Sequence, residues 1–405
     1  MLVSTLPNGI RVVHLSAPGP VCHCGLVINA GSRDEMAGEH GLAHFVEHTV
    51  FKGTAKRTAH QILNRLDEVG GELNAYTTKD ETAIHASFLE EYLARAAELI
   101  ADMAFCSTFP AKELDKERDV ILDEITSYQD TPSELIFDEF EDLAYAGTPL
   151  GHNILGTASS VSSFTADDAR RFIARAHCTD QMAFVFIGPT ERGKVIRVAE
   201  RYFGQHSANI RPARRPGIGA FNIFDKREER DTHQGHVLLG FAAPDCHSED
   251  RLSMAVLSNF LGGPGMNSRL SVALRERHGI AYNVETNYTP FDDAGLFTIY
   301  FGTDEQNISR SMSIVRREVD GLLQSPLSAA RFAKVMRQYV GQLLMSVDDS
   351  ESLMLAAARS VVIYGQSLSV YEMAGVVRER VTPESLLAVA RKVLMPEKMS
   401  RLIYC

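Results

Sequence analysis

An α+β fold built from two similar halves, each with a largely antiparallel sheet, is what this 405-residue sequence predicts. Three observations carry the prediction. Strand-like alternation and helical periodicity are mixed within each half, with several strands close enough to form hairpins. A stretch rich in Pro, Gly and Arg near the midpoint interrupts both periodicities. The same order of elements then recurs on either side of it, which marks an internal repeat.

Each half opens with an apolar strand running into a turn, Cys24 to Ala30 in the first and His236 to Ala243 in the second. An amphipathic helix follows each. Next comes a Gly-bearing segment leading into alternating strand, Leu73 to Phe88 and then Tyr282 to Phe301. Long helical stretches around 90–105 and 306–323 come after these. Each half closes with a Thr-capped helix and a strand. Thr165 begins the helix before Met182–Ile187, and Thr382 with Pro383 begins the helix before Arg401–Tyr404. Residues 207–220, with Arg211, Pro212, Arg214, Arg215, Pro216 and Gly217, read as an extended, exposed linker. It divides an N-terminal domain over 1–206 from a C-terminal domain over 221–405.

Composition excludes several classes. With 45% hydrophobic and 23% charged residues the chain is globular rather than disordered. No run of eighteen apolar residues predicts a membrane span, and the N-terminus shows no signal or transit peptide. Six cysteines, Cys22, Cys24, Cys106, Cys178, Cys246 and Cys405, form no CxxC pair, so free thiols and a cytoplasmic location are expected. In Cys22-His23-Cys24, strand alternation puts both thiols on one face and the imidazole on the other. The net charge is −11. Residues 1–210 hold 18 basic against 30 acidic residues, and residues 211–405 hold 23 against 22. The acidic half fits either a chamber that attracts basic peptides or an ordinary solvated surface. No nucleic-acid partner is expected.

His44-Phe45-Val46-Glu47-His48 carries the chemistry. On a helix, positions i and i+4 share a face, so both imidazoles aim at one point with Glu47 beside them. Two neutral nitrogen ligands and a carboxylate able to take a proton from a water on the ion make a zinc hydrolase set. The order His-x-x-Glu-His is the inverted zincin pattern. A catalytic zinc needs a third protein ligand. Glu124 is the best candidate, with Glu117 two turns earlier on the same side. Val120, Ile121 and Leu122 between them suggest a helix that packs inward. Spacing alone leaves Glu124 open, because acids on helices are mostly solvated, as Asp115, Asp119 and Asp123 are expected to be. His40, His60, His85 and His278 lack partners at ligand spacing and read as capping or packing residues.

Over nearly its whole length the chain resembles peptidase family M16, the pitrilysin family, in its short processing-peptidase-like branch. The matching stretches are Leu6–Gly9, Ala30–Glu35, Gly41–Thr54, Gly70–Thr77, Leu261–Leu270 and Leu274–Tyr282. Pro264 in the Gly-rich loop departs from the pattern. The resemblance implies a fold of the LuxS and mitochondrial-processing-peptidase type, with two homologous α/β-sandwich-like halves. It implies one Zn²⁺ per chain on His44, His48 and Glu124, the last falling at the family's spacing of seventy-six residues beyond the second His. Glu47 is then the general base and Glu117 the auxiliary glutamate. Arg275 and Tyr282 match a pair that reaches the substrate and its oxyanion. Asn74, Ala75 and Tyr76 match an edge strand to which an extended peptide adds by main-chain hydrogen bonds.

The function implied is zinc endopeptidase action on unfolded peptides or presequence-like segments, basic ones among them, inside a homodimeric chamber. A heterodimer with a paralogue is the variant of that assembly. The competing reading is a non-catalytic partner subunit of a processing-peptidase-like complex. Such members lose motif residues, whereas this chain keeps them. Another zinc enzyme with an inverted motif is a third reading, disfavoured by the two-half length and the Arg275/Tyr282 pair.

Overall fold

A computed structural model describes residues 1–405 apart from Ala213, Arg214, Pro216, Asp231, Gln366 and Ser367. Three linker positions, 213, 214 and 216, therefore lie outside the described residues. The chain forms two compact units. Unit 1 comprises Met1–Ser127, His152–Pro216 and Ser346–Ser369; unit 2 comprises Tyr128–Gly151, Gly217–Met345 and Val370–Cys405.

Unit 1 is built on a six-stranded sheet of β1 (Leu2–Thr5), β2 (Arg11–Ser16), β3 (Val21–Ile28), β4 (Glu72–Thr77), β5 (Thr82–Leu89) and β6 (Met182–Gly188). The spatial order is β1-β2-β6-β3-β5-β4. Every pair is antiparallel except β2 with β6. Alternation along β3 divides the packing. Cys22, Cys24, Leu26 and Ile28 join the core cluster that includes Leu93, Ala96, Ala97 and Ile100 of a helix over Leu93–Cys106. His23 takes the other face, as the period of two dictates. There His85 of β5 meets Glu351, at 2.6 Å from Nδ1 to Oε1, on the helix Ser350–Val362. Each face of the sheet thus receives a helix that buries apolar residues and also carries ion pairs.

Unit 2 repeats the plan with β7 (Asp225–Glu228), β8 (Gly235–Ala242), β9 (Val284–Pro290), β10 (Gly295–Thr303) and β11 (Ser400–Tyr404), in the order β7-β11-β8-β10-β9. Its one parallel pair, β7 with β11, occupies the place of β2 with β6 in unit 1. Val237, Leu239 and Phe241 face one core, while Leu238 faces a second made with Ile136, Phe140 and Tyr404. Gly240 permits that second contact, since a Cβ there would stand 2.3 Å from the Phe140 ring. Both Thr-capped helices form as their sequences predict. Thr165 accepts from the Asp168 N–H and Thr382 from the Ser385 N–H, each in a capping box.

Each unit also takes one helix from the other half of the sequence. Pro132–Ala144 lies on the unit 2 sheet, and Ser350–Val362 on that of unit 1. A sheet buried on one face only would leave its other face wet, and these helices cover it. The linker is less free than its composition suggests. Arg215 is buried in unit 1, where its guanidinium meets Asp34 at 2.7 Å and donates to the Asn29 carbonyl at 2.9 Å. Among the described residues no helix is long and apolar enough to cross a membrane.

Candidate metal centre

The helix α1 (Leu42–Thr49) carries the His-x-x-Glu-His stretch. Leu42, Ala43, Phe45, Val46 and Thr49 are buried, which fixes the rotation of the helix and turns His44, Glu47 and His48 along one side. The helix packs beside β4. Its N-cap is Gly41 at φ 97°, in the left-handed region, where a Cβ would also meet the Leu155 carbonyl oxygen at 2.6 Å. A glycine supplies no capping side chain, so the first turn is capped from afar. Glu35, fully buried, accepts from the Gly41 N–H at 3.0 Å and the Ala43 N–H at 2.7 Å. His152 Nε2 lies 2.9 Å from the same carboxyl.

Burial raises the Glu35 carboxyl to about 8, against the pull of those backbone hydrogen bonds. The native state therefore keeps a proton that the unfolded chain releases near 4.5. Its contribution is complete at low pH and is lost as pH rises from about 4.5 to about 8. Glu35→Gln is expected to flatten this part of the stability profile, read from urea midpoints across the range. An unchanged slope would assign the titration to another group.

The third candidate ligand comes from helix α2 (Ala111–Gln129). Leu114, Glu117, Ile121 and Ile125 form its buried stripe, at spacings of three and four. Val120 differs from expectation: it is half exposed, because it falls off that stripe. Asp115, Asp119 and Asp123 are exposed, as expected. Glu117, on the stripe, accepts at 2.9 Å from His48 Nδ1 and pairs at 2.6 Å with Lys52. That bond leaves His48 Nε2 as the free ring nitrogen. Glu124, two turns on, presents Oε2 at 3.5 Å from His48 Nε2 and 3.7 Å from His44 Nε2.

These separations are too long for hydrogen bonds. They approach the edges of about 3.3–3.4 Å expected between nitrogen and oxygen donors set tetrahedrally at zinc distances. The three donor atoms lie within 4.8 Å of one another, and the donor set fits zinc. Glu124 has 42% of its side chain exposed, which leaves an approach to the site.

The electrostatics divide the ligands. Burial, then His48, lowers His44 to about 3, so it is a neutral donor. Burial also pulls His48 down, but the hydrogen bond to Glu117 and the charges of Glu47 and Glu124 outweigh it, and its net shift is upward. Glu117 is held below its ordinary value: burial opposes this, but His48 and Lys52 prevail. Glu47 is raised, chiefly by burial, against a hydrogen bond from Thr77 at the end of β4.

The site residues expected from the sequence thus divide in three. His44, His48 and Glu124 converge, with Glu117 behind His48 and Glu47 beside them. Asn74, Ala75 and Tyr76 lie on β4, an edge strand of the unit 1 sheet, which among the described residues pairs with β5 alone. Tyr76 donates to Glu81 at 2.8 Å. Arg275 and Tyr282 belong to unit 2, Arg275 in the short helical segment Val272–Glu276 and Tyr282 beyond it, 83% exposed. Lys52 and Glu35 received no role from the sequence. Lys52 follows His48 by four residues, a spacing that could have suggested a shared face; nothing in the sequence marks Glu35 as a remote cap. His40 stacks on His152 with centroids 4.1 Å apart, and His278 Nδ1 lies 2.6 Å from the Ala273 carbonyl oxygen, both packing roles.

The family model described as insulinase (peptidase family M16) matches residues 11–158, and that of the peptidase M16 inactive domain matches residues 163–339. A relative from Streptomyces coelicolor named an uncharacterized zinc protease is 33% identical over 399 residues, covering 96% of this chain and 86% of its own. The similarly named YmxG of Bacillus subtilis is 30% identical over 372 residues, covering 91% and 90%. Among solved structures, a protease from Helicobacter pylori superposes with a TM-score of 0.90 at 19% identity, covering 100% of this chain and 98% of its own. A peptidase M16 inactive domain from Pseudomonas fluorescens gives 0.90 at 20% identity, covering 100% and 97%. At such identities these two speak for the fold alone. Together the family models and the curated relatives show that this chain belongs to peptidase family M16.

Proposed function

We propose that the chain is a zinc-dependent endopeptidase acting on extended, unfolded peptide segments. The convergence of His44 Nε2, His48 Nε2 and Glu124 Oε2 beside a raised Glu47 carries the reading. Relatives named zinc proteases support the choice of metal. His44, His48 and Glu124 would hold one zinc ion, which when bound would supply Lewis acidity toward a carbonyl and a water.

The remaining work falls to the chain. Lys52 holds Glu117 as an anion, and Glu117 holds the proton on His48 Nδ1, so that Nε2 faces the metal position. Glu47 takes a proton from the attacking water and delivers it to the leaving amine. The Thr77 hydrogen bond orients it. Arg275 and Tyr282 are assigned to the substrate and its developing oxyanion, a role supported by the family pattern and by their exposure.

Asn74, Ala75 and Tyr76 receive the substrate as an added strand. The open edge of β4 supports this, as does the Thr77 contact that joins the end of β4 to Glu47. Backbone N–H groups alternate in direction along a strand, so one of Asn74→Pro and Ala75→Pro removes an outward donor and spares the β5 ladder. That variant is expected to raise KM while zinc content holds; two variants with unchanged KM would remove β4 from the substrate path. Self-association as a homodimer is part of the proposal, because one chain carries both the metal set and the Arg275/Tyr282 pair. Light scattering of the purified chain is expected to give twice its mass, and a monomeric mass in an active sample would contradict it.

The reading is tested by incubating the zinc-loaded chain with an unfolded protein and identifying the products by mass spectrometry. Internal cleavage that a zinc chelator stops is expected. No cleavage, or cleavage indifferent to the chelator, would overturn it.

A further inference from the structure

A second group of side chains able to ligate a metal stands in unit 2. Cys246 and His247 lie in the connection after β8, and Asp292 in the turn between β9 and β10. Backbone hydrogen bonds lock these two connections together: the Ala243 N–H donates to the Gly295 carbonyl at 2.7 Å and the Cys246 N–H to the Phe291 carbonyl at 3.0 Å. The Tyr288 hydroxyl adds a bond to the Pro244 carbonyl at 2.6 Å. Upon this frame His247 Nε2 lies 2.8 Å from Asp292 Oδ1, and Cys246 Sγ lies 3.8 Å from the Asp292 carbonyl oxygen. One donor atom from each of the three residues falls within 4.8 Å of the other two.

The surroundings favour a cation. Asp245, Glu249, Asp250, Asp292 and Asp293 crowd the same two connections. Of the cations near them, Lys392 is engaged with Asp250 at 2.6 Å, and Arg251 donates to the Cys246 carbonyl at 2.9 Å. The burial grades as a three-residue site open to one solvent ligand would require. Cys246 is buried, Asp292 is half-buried and His247 is exposed, with its imidazole against the Asp292 carboxylate. Tetrahedral edges for sulfur, nitrogen and oxygen donors are about 3.3–3.6 Å, a closure that rotation of His247 can supply.

We propose that Cys246, His247 and Asp292 form a second metal site, which takes a thiophilic divalent cation of the zinc class. A donor set of thiolate, imidazole and carboxylate selects such an ion over magnesium or calcium. Binding releases the thiol proton to solvent as the metal–sulfur bond forms, so affinity rises with pH. The ion clamps the connection after β8 to the β9–β10 turn. None of this depends on the peptidase reading.

Cobalt(II) is the probe, titrated into the full chain after chelator stripping. A thiolate-to-cobalt charge-transfer band in the near ultraviolet is expected in the wild type and in His44→Ala. It is expected to vanish in Cys246→Ser. His247→Ala, which alters an exposed side chain and leaves the buried thiol in place, is expected to weaken the binding that gives the band by about tenfold or more. No band in the wild type, a band that survives Cys246→Ser, or undiminished affinity in His247→Ala overturns the proposal.

Discussion

Glu47→Gln is expected to lower kcat on an unfolded peptide by about 10²–10⁴-fold, the usual worth of a positioned acid–base group. Bound zinc and KM should change little. The substitution is nearly isosteric, and Glu47 contributes no atom to the converging triad of His44, His48 and Glu124. The amide can still accept from Thr77, so the packing between α1 and β4 survives. What is lost is the capacity to hold a proton. In the native chain the Glu47 carboxyl is raised, first by burial and also by the nearby Glu124 carboxylate. Steady-state kinetics and metal analysis of one preparation read both halves of the expectation. A fully active Gln variant removes Glu47 from proton transfer, and a variant without zinc makes it a ligand instead.

Glu124→Ala is expected to weaken zinc binding by more than about 10²-fold, beyond the 10–100-fold typical of a residue that only supports a ligand. Glu124 is the one anionic donor in the set; the other two are imidazoles. Without it, two neutral nitrogens remain, and a catalytic zinc rests on three protein ligands. The neighbouring Asp123, exposed on the same helix, supplies the control, since Asp123→Ala should bind zinc as the wild type does. Competition against a chromophoric chelator measures the difference. Equal affinity in Glu124→Ala and wild type would leave the third ligand unassigned.

Much of this was legible in the sequence because the deciding signals are local. A five-residue stretch with i, i+4 histidines puts two imidazoles on one helical face, whatever lies around it. Period-two alternation separated the Cys22 and Cys24 thiols from His23, and Thr165 and Thr382 marked their helix starts. Glu124 was different. Its helix shows many acids, and only the family spacing distinguished it from Asp123; the structure adds that the stripe of Leu114, Glu117 and Ile121 turns Glu117 inward and brings Glu124 to the histidines.

What stayed hidden is long-range. Glu35 caps α1 across a left-handed glycine, and no sequence rule links a buried glutamate to a helix six residues on. Arg215 looked like part of an exposed linker, yet a bidentate pair with Asp34 holds it in unit 1. The exchanged helices Pro132–Ala144 and Ser350–Val362 were also invisible. Amphipathicity says that a helix needs a partner, not which sheet supplies it.

In the proposed function, zinc at His44, His48 and Glu124 is what makes the chain a peptidase. Returning zinc in steps to the chelator-stripped chain, with peptide cleavage followed at each step, tests this most directly. Cleavage is predicted to be absent without metal and to recover as zinc is added in the wild type, while His48→Ala stays inactive at the same zinc concentrations. Cleavage by the stripped chain, or recovery in His48→Ala equal to that of the wild type, would contradict the account.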